Sequence, residues 1–294
     1  MTLREHVTNA AKRLQQAGIN DSEALADAEL LARHVLAWDR STYLVRNHEP
    51  PPKTFNNAYK KTIKRRTARE PVSLITEERE FWGLKFSVKP GVLIPRPETE
   101  LIIETAINLF PDRTKAELSI ADIGTGSGCL AVALALEFPQ SIVNALDTSA
   151  IALRVAQQNC ILHSVDDRVT LVENSFEDWL SMRNRPPYEL DLIVANLPYI
   201  PQSAIKTLSP EVRMYEPYCA LDGGPDGLFL LRQLLKVSPN CLTVKGFLLI
   251  EIGNGQAQKL EQAVKSIPNL VLRGFRTDLQ GISRTAIIER SSPS

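Results

Sequence analysis

Two short stretches combine residue types and spacing that could do chemistry. The first, Asn196-Leu197-Pro198-Tyr199, ends an apolar run from Asp191 to Ala195. An asparagine side-chain oxygen and a neighbouring backbone carbonyl are two acceptors, enough to receive both hydrogens of a planar –NH2 group. The Tyr199 ring can stack on that plane, while Pro198 fixes the local backbone and removes a competing N–H. This is the chemistry of an amino or amide nitrogen held against an electrophile. Taken alone, an ordinary Asn-Pro turn beside a core tyrosine explains the same four residues.

The second stretch, Gly124-Thr125-Gly126-Ser127-Gly128, follows a strand-like run and opens an apolar helix. Glycines there let the backbone approach a ligand closely, and the helix N-terminus offers free N–H groups. The spacing is not that of a dinucleotide fingerprint, because Cys129 stands where the third glycine would fall. No lysine follows as it does in a triphosphate-binding loop. Asp122 precedes the loop, and Asp147 closes the next strand, nineteen residues after Gly128. From there a carboxylate can accept hydrogen bonds from ribose hydroxyls. A tight structural turn is the competing reading of the loop, and a helix N-cap that of Asp147. The loop, Asp147 and the Asn196–Tyr199 turn together favour a nucleoside-bearing cofactor.

These stretches need a scaffold that brings them to one place. From residue 98 onward, apolar runs at 119–123, 141–147, 169–172, 190–195, 246–252, 271–275 and 284–289 predict strands. Helical patterns fall between them at 98–110, 128–137, 149–163, 225–238 and 255–266. Such alternation is the signature of a parallel α/β sheet, whose ligands bind beyond the carboxyl ends of the strands. The first 75 residues are helical in pattern. Leu3, Val7, Ala10 and Leu14 share one face, Gly18 suits a helix end, and Asp21 suits the cap of a second helix. Pro50-Pro51-Pro52 precedes a third helix over 53–69. Between these parts, Phe81 to Val88 alternates around Gly83, and Val92-Leu93-Ile94 follows Pro90-Gly91, a pattern that predicts a connecting hairpin.

Composition narrows the function. The 34 Lys+Arg balance 34 Asp+Glu, which argues against a protein that coats nucleic acid. The balance is uneven along the chain: residues 1–75 carry 13 basic and 8 acidic side chains, whereas residues 76–294 carry 21 and 26. The longest fully apolar run, Cys129 to Leu136, is too short to span a bilayer, and no secretory pattern opens the chain. Four cysteines without metal-ligand spacing predict neither a disulfide framework nor a zinc site, and fit a reducing cytoplasm. A monomer without a metal is expected.

Nearly the whole chain, about residues 2–290, resembles the HemK/PrmC family, the glutamine N5-methyltransferases of peptide chain release factors. The resemblance rests on the helical N-terminal region, Arg79-Glu80-Phe81-Trp82-Gly83, the glycine loop and Asn196–Tyr199. It rests also on Val92-Leu93-Ile94-Pro95-Arg96-Pro97-Glu98-Thr99-Glu100, on Leu208-Ser209-Pro210-Glu211-Val212 with Glu216-Pro217, and on Ala220-Leu221-Asp222-Gly223-Gly224. The Ile94 to Glu100 run is its most specific part, and separates the chain from the related enzymes that act on ribosomal protein L3. Leu197 stands where the family usually has proline, and Ser175 where an acidic residue is common.

The resemblance implies a class I S-adenosylmethionine-dependent methyltransferase fold, a Rossmann-like, seven-stranded, mostly parallel sheet. Three parts are expected: a helical substrate-recognition domain over 1–75, a hairpin linker over 76–97 and the methyltransferase domain over 98–294. Gly124, Thr125, Gly126, Ser127, Gly128, Asp147, Phe176 and Asn196 would hold the cofactor S-adenosylmethionine. Asn196, Leu197, Pro198 and Tyr199 would bind the substrate glutamine and act in catalysis. The substrate implied is the Gly-Gly-Gln glutamine of class I release factors, with no membrane and no stable nucleic-acid partner. The alternatives are an RNA or DNA amino-methyltransferase, and a non-catalytic adaptor of the same fold. The basic stretch Lys60, Lys61, Lys64, Arg65, Arg66 and Arg69 reads as a solvated face or as a contact for an acidic partner. Arg96 and Glu98 would lie near the substrate entrance or form pairs that fix the linker.

Overall fold

A computed structural model describes residues 1–182 and 190–292. The chain forms two compact units, one of Met1–Glu78 with Ser209–Tyr215, the other of Arg79–Leu208 with Glu216–Ser294.

The first unit is helical, with Leu3–Gln16, Asp21–Leu36, Arg40–Arg46, Phe55–Thr67 and Val72–Thr76 joined by Pro210–Tyr215. Thr2 and Glu5 form a capping box on the first helix. The second helix is capped by Asn20, not Asp21: the Asn20 side chain accepts from the Glu23 N–H, leaving Asp21 as the first helical residue. Leu3, Leu14, Leu31, Phe55 and Ile63 are buried together, and the Tyr59 hydroxyl donates to the Ala28 carbonyl at 2.9 Å. The short helix over Arg40–Arg46 escapes the periodicity because about two turns carry a single buried side chain, Tyr43.

Half of the basic stretch is structural. Arg66 is buried; its Nε donates to Asp27 at 2.7 Å and its Nη1 to Glu211 at 2.9 Å. Arg69 Nη2 donates to the other Glu211 oxygen at 2.8 Å, and Arg65 pairs with Glu70. Burial pushes the Glu211 carboxyl up, but hydrogen bonds from Arg69 and Arg66 bring it below the usual glutamate range. Lys60, Lys61 and Lys64 are exposed.

The second unit begins at Arg79, within a hairpin of β1 (Glu78–Phe81) and β2 (Leu84–Ser87). Trp82 and Gly83 both have positive φ, as a two-residue turn between right-twisted strands requires. Val92 to Ile94 forms no strand. Then come β3 (Ser119–Ile123), β4 (Ile142–Asp147), β5 (Val169–Glu173), β6 (Leu190–Ala195), β7 (Leu242–Glu251), β8 (Leu270–Thr277) and β9 (Ser283–Arg290), in the order β5-β4-β3-β6-β7-β9-β8. Strands β3 to β7 pair in parallel, and β9 runs antiparallel to both neighbours. The mostly parallel seven-stranded sheet is the one expected.

Inner strands are mostly apolar because helices cover both faces, with Asp122 a buried exception. Along β6, Leu192 and Val194 enter one core while Ile193 and Ala195 enter the other. Strand β7 starts four residues before its apolar run, and a bend at Lys245, with φ +69°, hides this continuation from the pattern. Among the described residues no helix is long and apolar enough to cross a membrane.

Candidate active site

The direction of winding reverses between β4 and β6, which flank β3 on opposite sides. Ligand crevices of doubly wound sheets open at such a point, beyond the carboxyl ends of the strands. The glycine loop follows β3, Asp147 ends β4, and Asn196 follows β6. Sheet topology therefore brings together three motifs separated in sequence.

A cavity of about 350 Å3 lies there, within the usual range of roughly 300–1,000 Å3 for small-molecule sites. Gly124, Thr125, Gly126, Ser127, Asp147, Phe176, Asn196, Leu197 and Pro198 line it. Of the residues expected to hold cofactor or substrate, Gly128 and Tyr199 are not among its lining. Val92, Leu93, Pro95, Arg96 and Thr99 from the proline-rich run are.

The loop is held from beneath. The Gly124 and Thr125 N–H groups both donate to the Leu146 carbonyl, and the Gly126 N–H donates to Asp147 Oδ2 at 2.9 Å. The other Asp147 oxygen accepts from the Ser149 N–H at 2.9 Å. The helix cap is Ser149 itself, whose hydroxyl accepts from the Ala152 N–H, so Asp147 stays at the cavity wall. Burial raises the Asp147 carboxyl above the usual range, against hydrogen bonds from Ser149 and Gly126. A Cβ on Gly126 would meet no protein atom closer than 3.9 Å, so the loop leaves open a cradle that a ligand can enter. Gly128 has another role. A Cβ there would lie 3.0 Å from the Ala156 Cβ, so it permits close packing of the loop on the helix Ala150–Leu162.

Asp122 is fully buried behind the loop, where its Oδ2 accepts from Thr125 Oγ1 at 2.6 Å and from the Ala131 N–H at 3.2 Å. Desolvation pushes this carboxyl up to about 7. Phe176 is buried at the start of its helix, with its ring at the cavity wall. Ser175, which departs from the family pattern, receives the Asp178 N–H on its hydroxyl and so caps that helix.

The asparagine turn is fixed on all sides. Leu197 is buried, and a Cβ on Gly124 would come within 3.1 Å of it. Gln256 Nε2 donates to the Tyr199 carbonyl at 2.8 Å, and a Cβ on Gly227 would stand only 2.2 Å from that oxygen. The Tyr199 hydroxyl donates to Glu251 Oε1 at 3.1 Å, and Thr99 Oγ1 donates to Glu251 Oε2 at 2.6 Å. Asn196 Nδ2 donates to Thr99 Oγ1 at 2.9 Å. Glu251 is 1% exposed, and desolvation pushes its carboxyl up to about 7. Arg96 makes two short hydrogen bonds to the buried Glu216, at 2.6 and 2.7 Å.

The sequence reading passed over Glu251, Gln256 and the pairing of Thr99. A lone acidic residue closing an apolar strand, where burial demands a partner, was the available signal for Glu251.

Residues 5–76 match the model of the PrmC N-terminal domain, and residues 99–214 match that of the ribosomal protein L11 methyltransferase (PrmA). The release factor glutamine methyltransferase of Bradyrhizobium diazoefficiens is 36% identical over 284 residues, 96% of this chain and 93% of the relative. That of Geobacter sulfurreducens is 40% identical over 235 residues, covering 80% of this chain and 79% of the relative. Among solved structures, the catalytic domain of hMettl16, crystallised with an RNA hairpin of a 3'UTR, superposes with a TM-score of 0.54 at 15% identity. It covers 76% of this chain and 81% of that domain. The fold is that of class I S-adenosylmethionine-dependent methyltransferases. With more than nine-tenths of its length aligned to such a relative, the chain belongs to the release factor glutamine methyltransferase family.

Proposed function

We propose that the chain transfers a methyl group from S-adenosylmethionine to the side-chain amide nitrogen (N5) of the Gly-Gly-Gln glutamine in class I peptide chain release factors. Asn196 and Leu197 lie on the wall of the same cavity that the glycine loop lines, and this observation carries the reading of the site. S-adenosylmethionine, the methyl donor of the family, supplies an electrophilic methyl group on a sulfonium. The open cradle at Gly126, the Asp147 carboxylate and the Phe176 ring suit a nucleoside with its attached amino acid. Asp147 would accept from the ribose, and Gly124, Thr125, Ser127 and Gly128 would shape the surrounding loop.

A glutamine amide nitrogen is a poor nucleophile because its lone pair is delocalised into the carbonyl. Asn196 Oδ1 and the Leu197 carbonyl would receive its two hydrogens and aim its lone-pair face at the methyl group. They would also stabilise positive charge developing on nitrogen, an effect of position and electrostatics. Pro198 would keep the turn rigid, and the Tyr199 ring would support it. No strong base is needed, since the methylated amide nitrogen becomes acidic and sheds its proton after transfer.

The same reading carries a monomeric enzyme of the cytoplasm whose substrate is a protein. The excess of acidic groups over residues 76–294 supports a protein over a nucleic acid as substrate. The helical unit would recognise the release factor, with the exposed Lys60, Lys61 and Lys64 available to an acidic partner. The test is incubation with methyl-labelled S-adenosylmethionine and purified release factor, with mass mapping of the Gly-Gly-Gln peptide and RNA supplied in parallel. Label on that glutamine is the expected result. Label in RNA, or in neither acceptor despite donor binding, overturns the reading.

A further inference from the structure

An asparagine that is to accept hydrogen bonds from a substrate must be prevented from turning over. Its two ends are nearly the same size, and the flipped amide would offer –NH2 to the substrate –NH2, a donor facing a donor. The buried groups behind Asn196 remove that freedom. Both oxygens of Glu251 are occupied, one by the Thr99 hydroxyl at 2.6 Å and one by the Tyr199 hydroxyl at 3.1 Å. A threonine hydroxyl has a single proton, and the carboxylate takes it. What Thr99 Oγ1 can then show Asn196 is a lone pair, and the group facing it at 2.9 Å is Nδ2. A flipped Asn196 would set Oδ1 against that lone pair, two acceptors with no hydrogen between them, in a place where Thr99 is only 2% exposed.

We propose that Thr99 and Glu251 are positioning residues of the methyl transfer: the Glu251 carboxylate orients the Thr99 hydroxyl, which fixes Asn196 with Oδ1 as the acceptor offered to the substrate amide. Glu251 is not a lining residue of the cavity and touches no reacting atom; it acts through Thr99, and through Tyr199 on the other side of the turn. The device rests on the reading of Asn196 given above. It also discriminates, because a glutamine entering with its carbonyl toward Asn196 would meet an acceptor and be refused.

The test compares Thr99→Val, which keeps the shape and loses the hydroxyl, with Thr99→Ser, which keeps the hydroxyl. Thr99→Val and Glu251→Gln should each lower kcat about tenfold, while Thr99→Ser stays within about twofold of the wild type. The Kd for S-adenosylmethionine, measured by titration calorimetry without substrate, should be unchanged in all three. Wild-type kcat in Thr99→Val, or equal losses in Thr99→Val and Thr99→Ser, overturns the proposal. So does a donor Kd that weakens in step with kcat, the sign of a distorted cavity. A second readout needs no turnover. In 1H–15N spectra the Asn196 side-chain –NH2, identified by its loss in Asn196→Ala, should exchange slowly with water in the wild type and rapidly in Thr99→Val. Equal exchange in the two overturns the proposal. Slow exchange in a wild type that methylates no release factor would instead place the failure in the functional reading.

Discussion

Two glycines in one loop should fail in opposite ways when each becomes alanine. Gly126 has φ +57° and Gly128 φ +80°, so either alanine carries the cost of the left-handed region, about 1–2 kcal/mol, partly offset by a less flexible unfolded chain. Beyond that common cost they diverge. At Gly128 the new methyl would lie 3.0 Å from the Ala156 Cβ and 3.1 Å from its Cα, and a backbone atom cannot swing aside. Overpacking there adds about 1–3 kcal/mol, for a total of roughly 2–4 kcal/mol. At Gly126 the nearest protein atom, the Gly124 carbonyl oxygen, lies 3.9 Å away in unstrained contact, so the folded protein loses about 1 kcal/mol. The methyl would instead enter the cavity in which the methyl donor is proposed to bind. If the same 1–3 kcal/mol is lost from binding, the Kd for S-adenosylmethionine rises about 5- to 150-fold. Titration calorimetry and thermal unfolding, run on both variants, measure the two quantities separately. Gly126→Ala binding the donor like the wild type, or Gly128→Ala keeping full stability, would refute the reasoning about which glycine faces ligand and which faces protein.

Asn196→Ala should lower kcat by about 10²–10³ with little change in donor affinity, since the lost acceptor serves the transition state; near-normal methylation sinks the mechanism. Glu211→Gln should cost the helical unit about 1–3 kcal/mol in urea denaturation, because buried Arg66 keeps only Asp27 as a charged partner; a loss under about 0.5 kcal/mol would mean the pair is idle. Lys60, Lys61 and Lys64 changed together to Gln should raise KM for the release factor and flatten its salt dependence, and an unchanged salt slope removes them from docking. For pH, Glu251 and Asp122 hold their protons to about 7 when folded, against 4.5 and 3.8 for the ordinary groups. Between those limits the unfolded chain binds fewer protons, so stability falls as pH rises from about 4.5 to 7, by up to about 1.4 kcal/mol per pH unit for each group. Activity should run the other way, dropping as pH falls through 7, because protonated Glu251 no longer commits the Thr99 proton. Glu98, Arg284 and Tyr199 share its surroundings, so Glu251→Gln is the control and should remove this limb of the kcat profile; a limb that persists assigns it elsewhere.

Local sequence was enough for the scaffold. The sheet strands are short apolar runs because both faces are covered, and β3 and β6 begin and end where that pattern places them. The glycine loop was legible because positive φ at 124, 126 and 128 admits little else. The asparagine turn was legible from its chemistry. Where the pattern slipped, a local contact had outweighed it: Asn20 took the cap expected of Asp21, and Ser149 took the one that Asp147 could have filled.

What no local pattern could supply was pairing at a distance. Thr99 and Glu251 are 152 residues apart, and Arg66 and Glu211 are 145 apart; each reads on its own as a polar residue awaiting solvent. Folding removes the solvent, and a buried charge or hydroxyl must then be met by whatever the topology sets opposite it. Tertiary structure thus decided that Ser209–Tyr215 belongs with the helices of the first unit. It also decided that the Asn196 Nδ2 donates to Thr99, and that Tyr199 turns its hydroxyl to a buried carboxyl. Periodicity records which side of an element is apolar, whereas the partner of a buried polar group is fixed only when the whole sheet is wound.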